Sequence, residues 1–276
     1  MVSPPALFDI RTRARYRQRA KTLGVADFLH RAAALQLSER LEDVNKSFTK
    51  SAFVGWHHEA WADYFTAEAT VPDDEILALP EARFDLAVHG LCLHTANDPI
   101  GQLVQMRRAL RPDGLMIAAL FGGQTLHELR FALARAESEI EGGISPRVAP
   151  MGDVRDLGGL LQRAGLALPV ADASTLTVTY ETPLHLMRDL RAMGETNCLT
   201  ERRKTPLRRA TLARASAIYT EEFGLPDGRI PATFELIFLT GWAPSENQPK
   251  PLKPGTATNR LAEALGTKEY KDTLDD

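Results

Sequence analysis

His94 is the side chain best placed for proton chemistry. It follows the apolar run FDLAVHGLCL at 84–93, which reads as a buried strand and its exit, and ligands of open α/β sheets collect at the carboxyl ends of strands. The imidazole there serves either as a base or as a satisfied structural group, and the sequence offers no carboxylate partner for it. His89, inside the run, reads as core. His57 and His58 are adjacent, so they cannot form the i, i+4 pair that binds a metal on one helix face. Cys92 and Cys198 lack CxxC spacing, and neither a metal site nor a disulfide framework is expected. Gly122 and Gly123 end a second apolar run and lead into a helix start, where free N–H groups can receive an anion. A tight turn before a capped helix explains the same two residues. Arg130, Arg147, Arg155, Arg188 and Arg191 carry planar forks suited to a carboxylate or phosphate, with Asp153, Asp156 and Asp189 as alternative, internal partners.

Elements that position these side chains follow from periodicity and punctuation. Residues 8–41 repeat Leu23, Phe28, Leu29, Ala32, Leu35 and Leu37 near a 3.6-residue period, which predicts a helical lead-in. SAFVG at 51–55 reads as a short buried strand and His58–Phe65 as one short helix, while ATVPDDEILALPEA is too polar and proline-broken for a long element. Asn97, Asp98 and Pro99 start a helix; Asp113-Gly114 supplies the positive-φ position of a turn; LMIAALFGG is the next strand. Strand, helix, turn and strand make the βαβ crossover of a parallel sheet. Further on, a helix over 125–141 with a Thr125/Glu128 capping box, a helix over 154–164, a strand over 174–180, helices over 183–193 and 207–223 and a last strand over 233–242 are expected. Beyond Pro244 the proline-rich polar segment predicts an extended tail with a short helix at Arg260–Leu265. The implied division is 1–42 as a basic helical lead-in, 43–244 as the α/β domain and 245–276 as tail.

Bulk properties exclude several classes. A chain of 276 residues, 44% apolar and 25% charged, reads as a globule. Its longest apolar stretch, Leu115 to Phe121, is far short of the ~20 residues of a spanning helix. No apolar run follows the arginines at 11–19, so a secretory signal is not expected and the protein is placed in the cytoplasm. Net charge is −3, with basic runs at 11–21 and 202–214. These are solvated helix faces or a surface for an acidic partner or anionic lipid, which leaves peripheral membrane association open. Aromatics do not interleave with them, so nucleic acid is not an expected partner.

FDL at 84–86, the His94, Asn97, Asp98 cluster and RRALRPDGL at 107–115 resemble the second half of class I methyltransferases. GGQTLHELR at 122–130, GGISPRVAP at 142–150, DVRDLGGLLQRAG at 153–165, LMRDLRAMGETN at 186–197 and FELIFLTGWAP at 234–244 resemble one family more closely. It is the methyltransferase-like family represented in mitochondria by NADH:ubiquinone oxidoreductase (complex I) assembly factor 5, and the resemblance covers roughly residues 6–265. It implies a Rossmann-like class I methyltransferase sheet with helices on both faces and an antiparallel last strand. It also implies S-adenosylmethionine as cofactor, arginine hydroxylation or methyl transfer as activity, and a complex I subunit as partner. Cofactor contacts are implied at Gly55, Asp73, Asp74, Glu75, Leu91 and His94, and a substrate or partner surface at Arg130, Arg147, Arg155 and Arg191.

The sequence departs from that family where the cofactor is held. Glycines of the motif D-x-G-x-G-x-G let backbone approach the ligand, because a Cβ would fill its space. Here the corresponding stretch is SAFVGWHHEAW, in which only Gly55 remains. Only 28 residues separate Gly55 from Phe84, against roughly 45 for a complete helix, strand, helix and strand. A shortened N-terminal half with one βα unit lost or compressed is expected. Asp73, Asp74 and Glu75 then read as the family's acidic segment or as solvated loop carboxylates. The family's His-Trp pair is His94-Thr95 here. The expectation is a protein with weakened or lost cofactor binding and a retained partner surface, and the alternative is an enzyme with an unusual cofactor site.

Overall fold

The structure, a computed structural model, describes residues 6–248. The expected helix at Arg260–Leu265 and most of the expected tail lie outside the described residues. Met1–Pro244 and Ser245–Asp276 separate as two units, and the sheet belongs to the first.

Six strands form one sheet: β1 Ser51–Val54, β2 Ala69–Val71, β3 Phe84–Gly90, β4 Leu110–Phe121, β5 Ala167–Tyr180 and β6 Ile230–Trp242, in the order β2-β1-β3-β4-β6-β5. The first four are parallel, and β6 runs antiparallel between β4 and β5. Around them lie α1 Ile10–Leu23, α2 Phe28–Glu42, α3 Pro99–Ala109, α4 His127–Glu141, α5 Val154–Arg163, α6 Pro183–Ala192 and α7 Arg209–Phe223. Strand side chains alternate between the faces. Phe53, Val88, Ile117 and Phe238 meet α2, α4, α6 and α7 on one face. Ala52, Ala87, Met116 and Leu239 meet α3 and α5 on the other. Burial on both sides explains the near-continuous apolar runs of β3 and β4. The Rossmann-like sheet with helices on both faces, a shortened N-terminal half and an antiparallel last strand is therefore present.

Several local expectations change. The lead-in is two helices, because Gly24 at φ 83 turns the chain before Asp27. One strand and one helix of the expected set are lost: between β1 and β3 the only strand present is the three-residue β2, paired with β1 at the sheet edge. The 3₁₀ turn His58–Trp61 replaces the helix from β1 to β2, and no helix lies between β2 and β3. The turn after α3 is absorbed into β4, and its positive φ falls on Asp113 (64°) rather than Gly114, whose Cβ position lies 2.9 Å from the Arg111 carbonyl. The capping box does not form. Leu126 is the N-cap residue of α4; the Thr125 hydroxyl accepts from the Glu235 N–H at 3.1 Å, and the Glu128 carboxylate accepts from the Thr233 N–H at 3.3 Å. Both side chains fasten α4 to β6 instead of capping it.

Candidate functional site

At the carboxyl end of β2 the chain runs through Pro72 into Asp73, whose side chain is 2% exposed. Arg13 and Arg17 stand one turn apart on α1 and so share a helix face. Arg17 grips the Asp73 carboxylate with both branches, at 2.6 and 3.1 Å, and Arg13 approaches it at 3.2 Å. Arg13 also donates to the carbonyls of Thr95 and Asp73, at 3.0 and 3.1 Å. Burial alone would raise the Asp73 carboxyl; the two guanidiniums overcome it and hold the group below the usual carboxylate range. Helix α1 is anchored at its start: the Asp9 carboxylate caps the Thr12 N–H at 3.0 Å, and Asn97 clasps the Phe8 backbone in both directions, at 2.8 and 3.0 Å. The basic run at 11–21 is thus not merely a solvated face, since two of its arginines are buried against the strand ends.

Beside this pair, the loop after β1 is crowded by the protein itself. A Cβ at Gly55 would meet the Phe53 ring at 2.8 Å and the Gly90 carbonyl at 3.2 Å. Trp56 lies under the Arg17 guanidinium, 5.5 Å from its ring centre, and with His57 and Trp61 it surrounds His30 edge-on. The His30 ring nitrogen Nδ1 accepts from the Trp61 indole at 3.1 Å, and burial, then His57, push His30 down to about 3. Leu91 is buried at φ 50, where β3 leaves the sheet. The side chains of Asp74 and Glu75 face solvent, while their carbonyls accept from Gln102 at 3.0 Å and Gln105 at 2.8 Å. The solvated reading fits these two and fails for Asp73. An open depression of about 370 Å³ remains beside Gly55, Thr70 and Pro72, bordered by Arg17 and Lys21.

His94 lies on the other side of the strand ends, against a larger cavity of about 560 Å³. Its Nε2 is 3.3 Å from Glu195, the carboxylate that local sequence could not supply, and its ring packs on Phe121. Burial would raise Glu195, and His94 pulls it below its ordinary value. His89 is core, bonded to Gln102 at 2.9 Å. Of the four arginines expected to form a surface, Arg147 and Arg191 line this cavity, with Arg147 paired to Glu137 at 2.5 Å. Arg130 donates to the Gly123 and Thr125 carbonyls at 3.3–3.4 Å, and Arg155 is exposed away from the cavity. The anion position ahead of α4 is filled internally, because the Glu235 carboxylate accepts from the Gln124 N–H at 2.9 Å. Sequence reasoning missed Arg13, Arg17 and Glu195. The i, i+4 spacing of the two arginines was a usable signal; Glu195 had none. Among the described residues no group of three His, Cys, Asp or Glu is placed to hold a metal.

The family model described as a methyltransferase domain matches residues 18–118. The mitochondrial arginine-hydroxylase NDUFAF5 of Danio rerio is 36% identical over 263 residues, covering 86% of this chain and 82% of that protein. The Homo sapiens protein of the same name is 35% identical over 263 residues, covering 86% and 76%. A malonyl-[acyl-carrier protein] O-methyltransferase of Halorhodospira halophila is 37% identical over 170 residues, covering 62% of this chain and 56% of its own. The first two names carry a mitochondrial location, which overturns the expectation of a cytoplasmic protein. That expectation rested on a missing apolar run, and such a run reports on secretion alone.

Proposed function

This chain belongs to the NDUFAF5 family, and on that premise we propose that it serves respiratory complex I assembly through a protein-partner surface, with S-adenosylmethionine binding weakened or lost. The observation that carries the reading is the internal pairing of Asp73. A carboxylate that holds the cofactor at the strand ends must be free to accept from it, and here Asp73, the one buried member of the acidic segment, is taken by Arg17 and Arg13. The glycine that remains, Gly55, has its Cβ space filled by Phe53 and the Gly90 carbonyl rather than left for a ligand. These residues do not fit the cofactor.

The partner surface is best supported around Arg191, beside the cavity, with Arg147 next to it held by Glu137, and a complex I subunit presenting acidic residues is the matching chemistry. In this reading residues 1–42 serve as a built-in plug for the domain 43–244, and 245–276 as its tail. No described helix is long and apolar enough to cross a membrane. A peripheral contact through exposed arginines such as Arg11 and Arg15 is compatible with the plug.

Two observations favour a second reading, an active methyltransferase or arginine hydroxylase with an unusual cofactor site: the depression beside Gly55 stays open, and the His94 and Glu195 pair adjoins a cavity. Calorimetric titration with S-adenosylmethionine and S-adenosylhomocysteine separates the two. No heat of binding is expected; a Kd tighter than ~100 μM, about 5.5 kcal/mol, overturns the loss of the cofactor. Complex I of normal abundance in cells lacking the protein overturns the assembly role.

A further inference from the structure

The cavity beside His94 is two-faced. Leu126, Leu129 and Leu133 sit on or beside the first two turns of α4 on one side, and with Phe121 and Phe234 from the sheet they form a buried apolar floor. These residues are packed behind, yet they face about 560 Å³ of space that no described side chain fills. That volume lies within the roughly 300–1,000 Å³ range of small-molecule sites. The mouth is the opposite in character. Among the described residues six cations line the cavity, against a single lining carboxylate, Glu195, which His94 engages. Arg147, Arg202 and Arg203 are satisfied by Glu137, Asp9 and Glu141. Arg15, Arg191 and Lys204 are exposed and have no carboxylate partner among the described residues.

We propose that this cavity binds a single-chain aliphatic anion, an acyl chain ended by one carboxylate or phosphate group. The chain would lie on the leucine and phenylalanine floor, where each methylene leaves water, and the head would meet Arg15, Arg191 and Lys204 at the mouth. This assignment does not depend on the fate of the cofactor, because β1 and β2 contribute nothing to the lining.

The test is titration of the full chain with dodecanoate, dodecyl phosphate and dodecanol, each below its micellar concentration, and separately with anionic phospholipid vesicles. Saturable one-to-one binding of both anions is expected, roughly tenfold tighter than dodecanol; the stronger of the two anions names the head group. Arg191→Ala with Lys204→Ala weakens the anions by roughly tenfold and leaves dodecanol unchanged. Met187→Trp, at a half-buried position whose side chain lines the cavity, removes binding of all three without lowering the unfolding temperature. Equal affinity for dodecanol, binding that survives Met187→Trp, or attachment to vesicles alone overturns the assignment.

Discussion

Replacing Asp73 by Asn tests the internal lock directly. The carboxylate is 2% exposed and faces two guanidiniums whose side chains are 6% and 11% exposed, at 3.2 and 2.6 Å. Asparagine keeps the shape but offers one neutral acceptor, and its amide N–H groups point donors at donors. Two buried cations are then left without a counter-charge, and breaking a buried pair in this way costs about 3–5 kcal/mol. Arg17→Met should cost less, about 1.5–3 kcal/mol, the worth of hydrogen bonds to a charged group, because Asp73 keeps Arg13. In the double variant the second change comes at a discount, so the cycle yields a coupling of about 1–3 kcal/mol. Urea unfolding followed by circular dichroism reads all four proteins, with an unchanged m-value showing that the same surface is exposed. A loss below about 1 kcal/mol for Asp73→Asn, or additive single changes, would refute the claim that this pair closes the strand ends.

Two further outcomes follow from burial and packing. Burial lowers His30 to about 3 and His89 to about 4, whereas both protonate near pH 6.5 in the unfolded chain. The unfolded state therefore binds more protons below pH 6.5. Stability is complete above that value and falls as pH drops toward 4, by about 2.7 kcal/mol per pH unit where both histidines differ. His89→Gln should halve the slope between pH 5.5 and 4.5 in denaturant titrations, and a flat profile there contradicts the assignment. Gly90→Ala places a Cβ 2.5 Å from the Phe53 ring and 3.0 Å from Trp61, an overpacking cost of about 1–3 kcal/mol. Gly159→Ala, mid-helix in α5 with nothing within 4 Å, should instead stabilise by roughly 0.5–1 kcal/mol. Thermal unfolding of the two variants moving in the same direction is the result that sinks this contrast.

Long, periodic elements were legible because their signals are local. The apolar runs of β3 and β4 announce strands buried on two faces, and Asp98 before Pro99 announces the start of α3. β2 was not legible, since three residues carry no period. The capping box at Thr125 misled for a physical reason: β6, more than a hundred residues away, offers the same hydroxyl and carboxylate better-placed partners. The site behaved likewise. The empty glycine motif could be read directly, whereas Glu195 meets His94 across 101 positions of sequence and only the fold brings them together.

The closed and open halves of the strand ends are not independent, because α1 borders both. Its Arg13 and Arg17 reach Asp73, while Arg15 and Tyr16, on neighbouring positions, line the cavity beside His94. A carboxylate buried without ligand hydroxyls requires a partner from the chain, since an unpaired buried charge is too costly to persist. Once two arginines supply it, α1 is held across the strand ends with Arg15 and Tyr16 fixed toward the cavity. The internal pairing of Asp73 and the basic rim of the cavity thus share one element, α1. Any partner or ligand seated at the mouth acts on a helix that Asp73 already holds in place, so its binding need not also meet the entropy of ordering that helix.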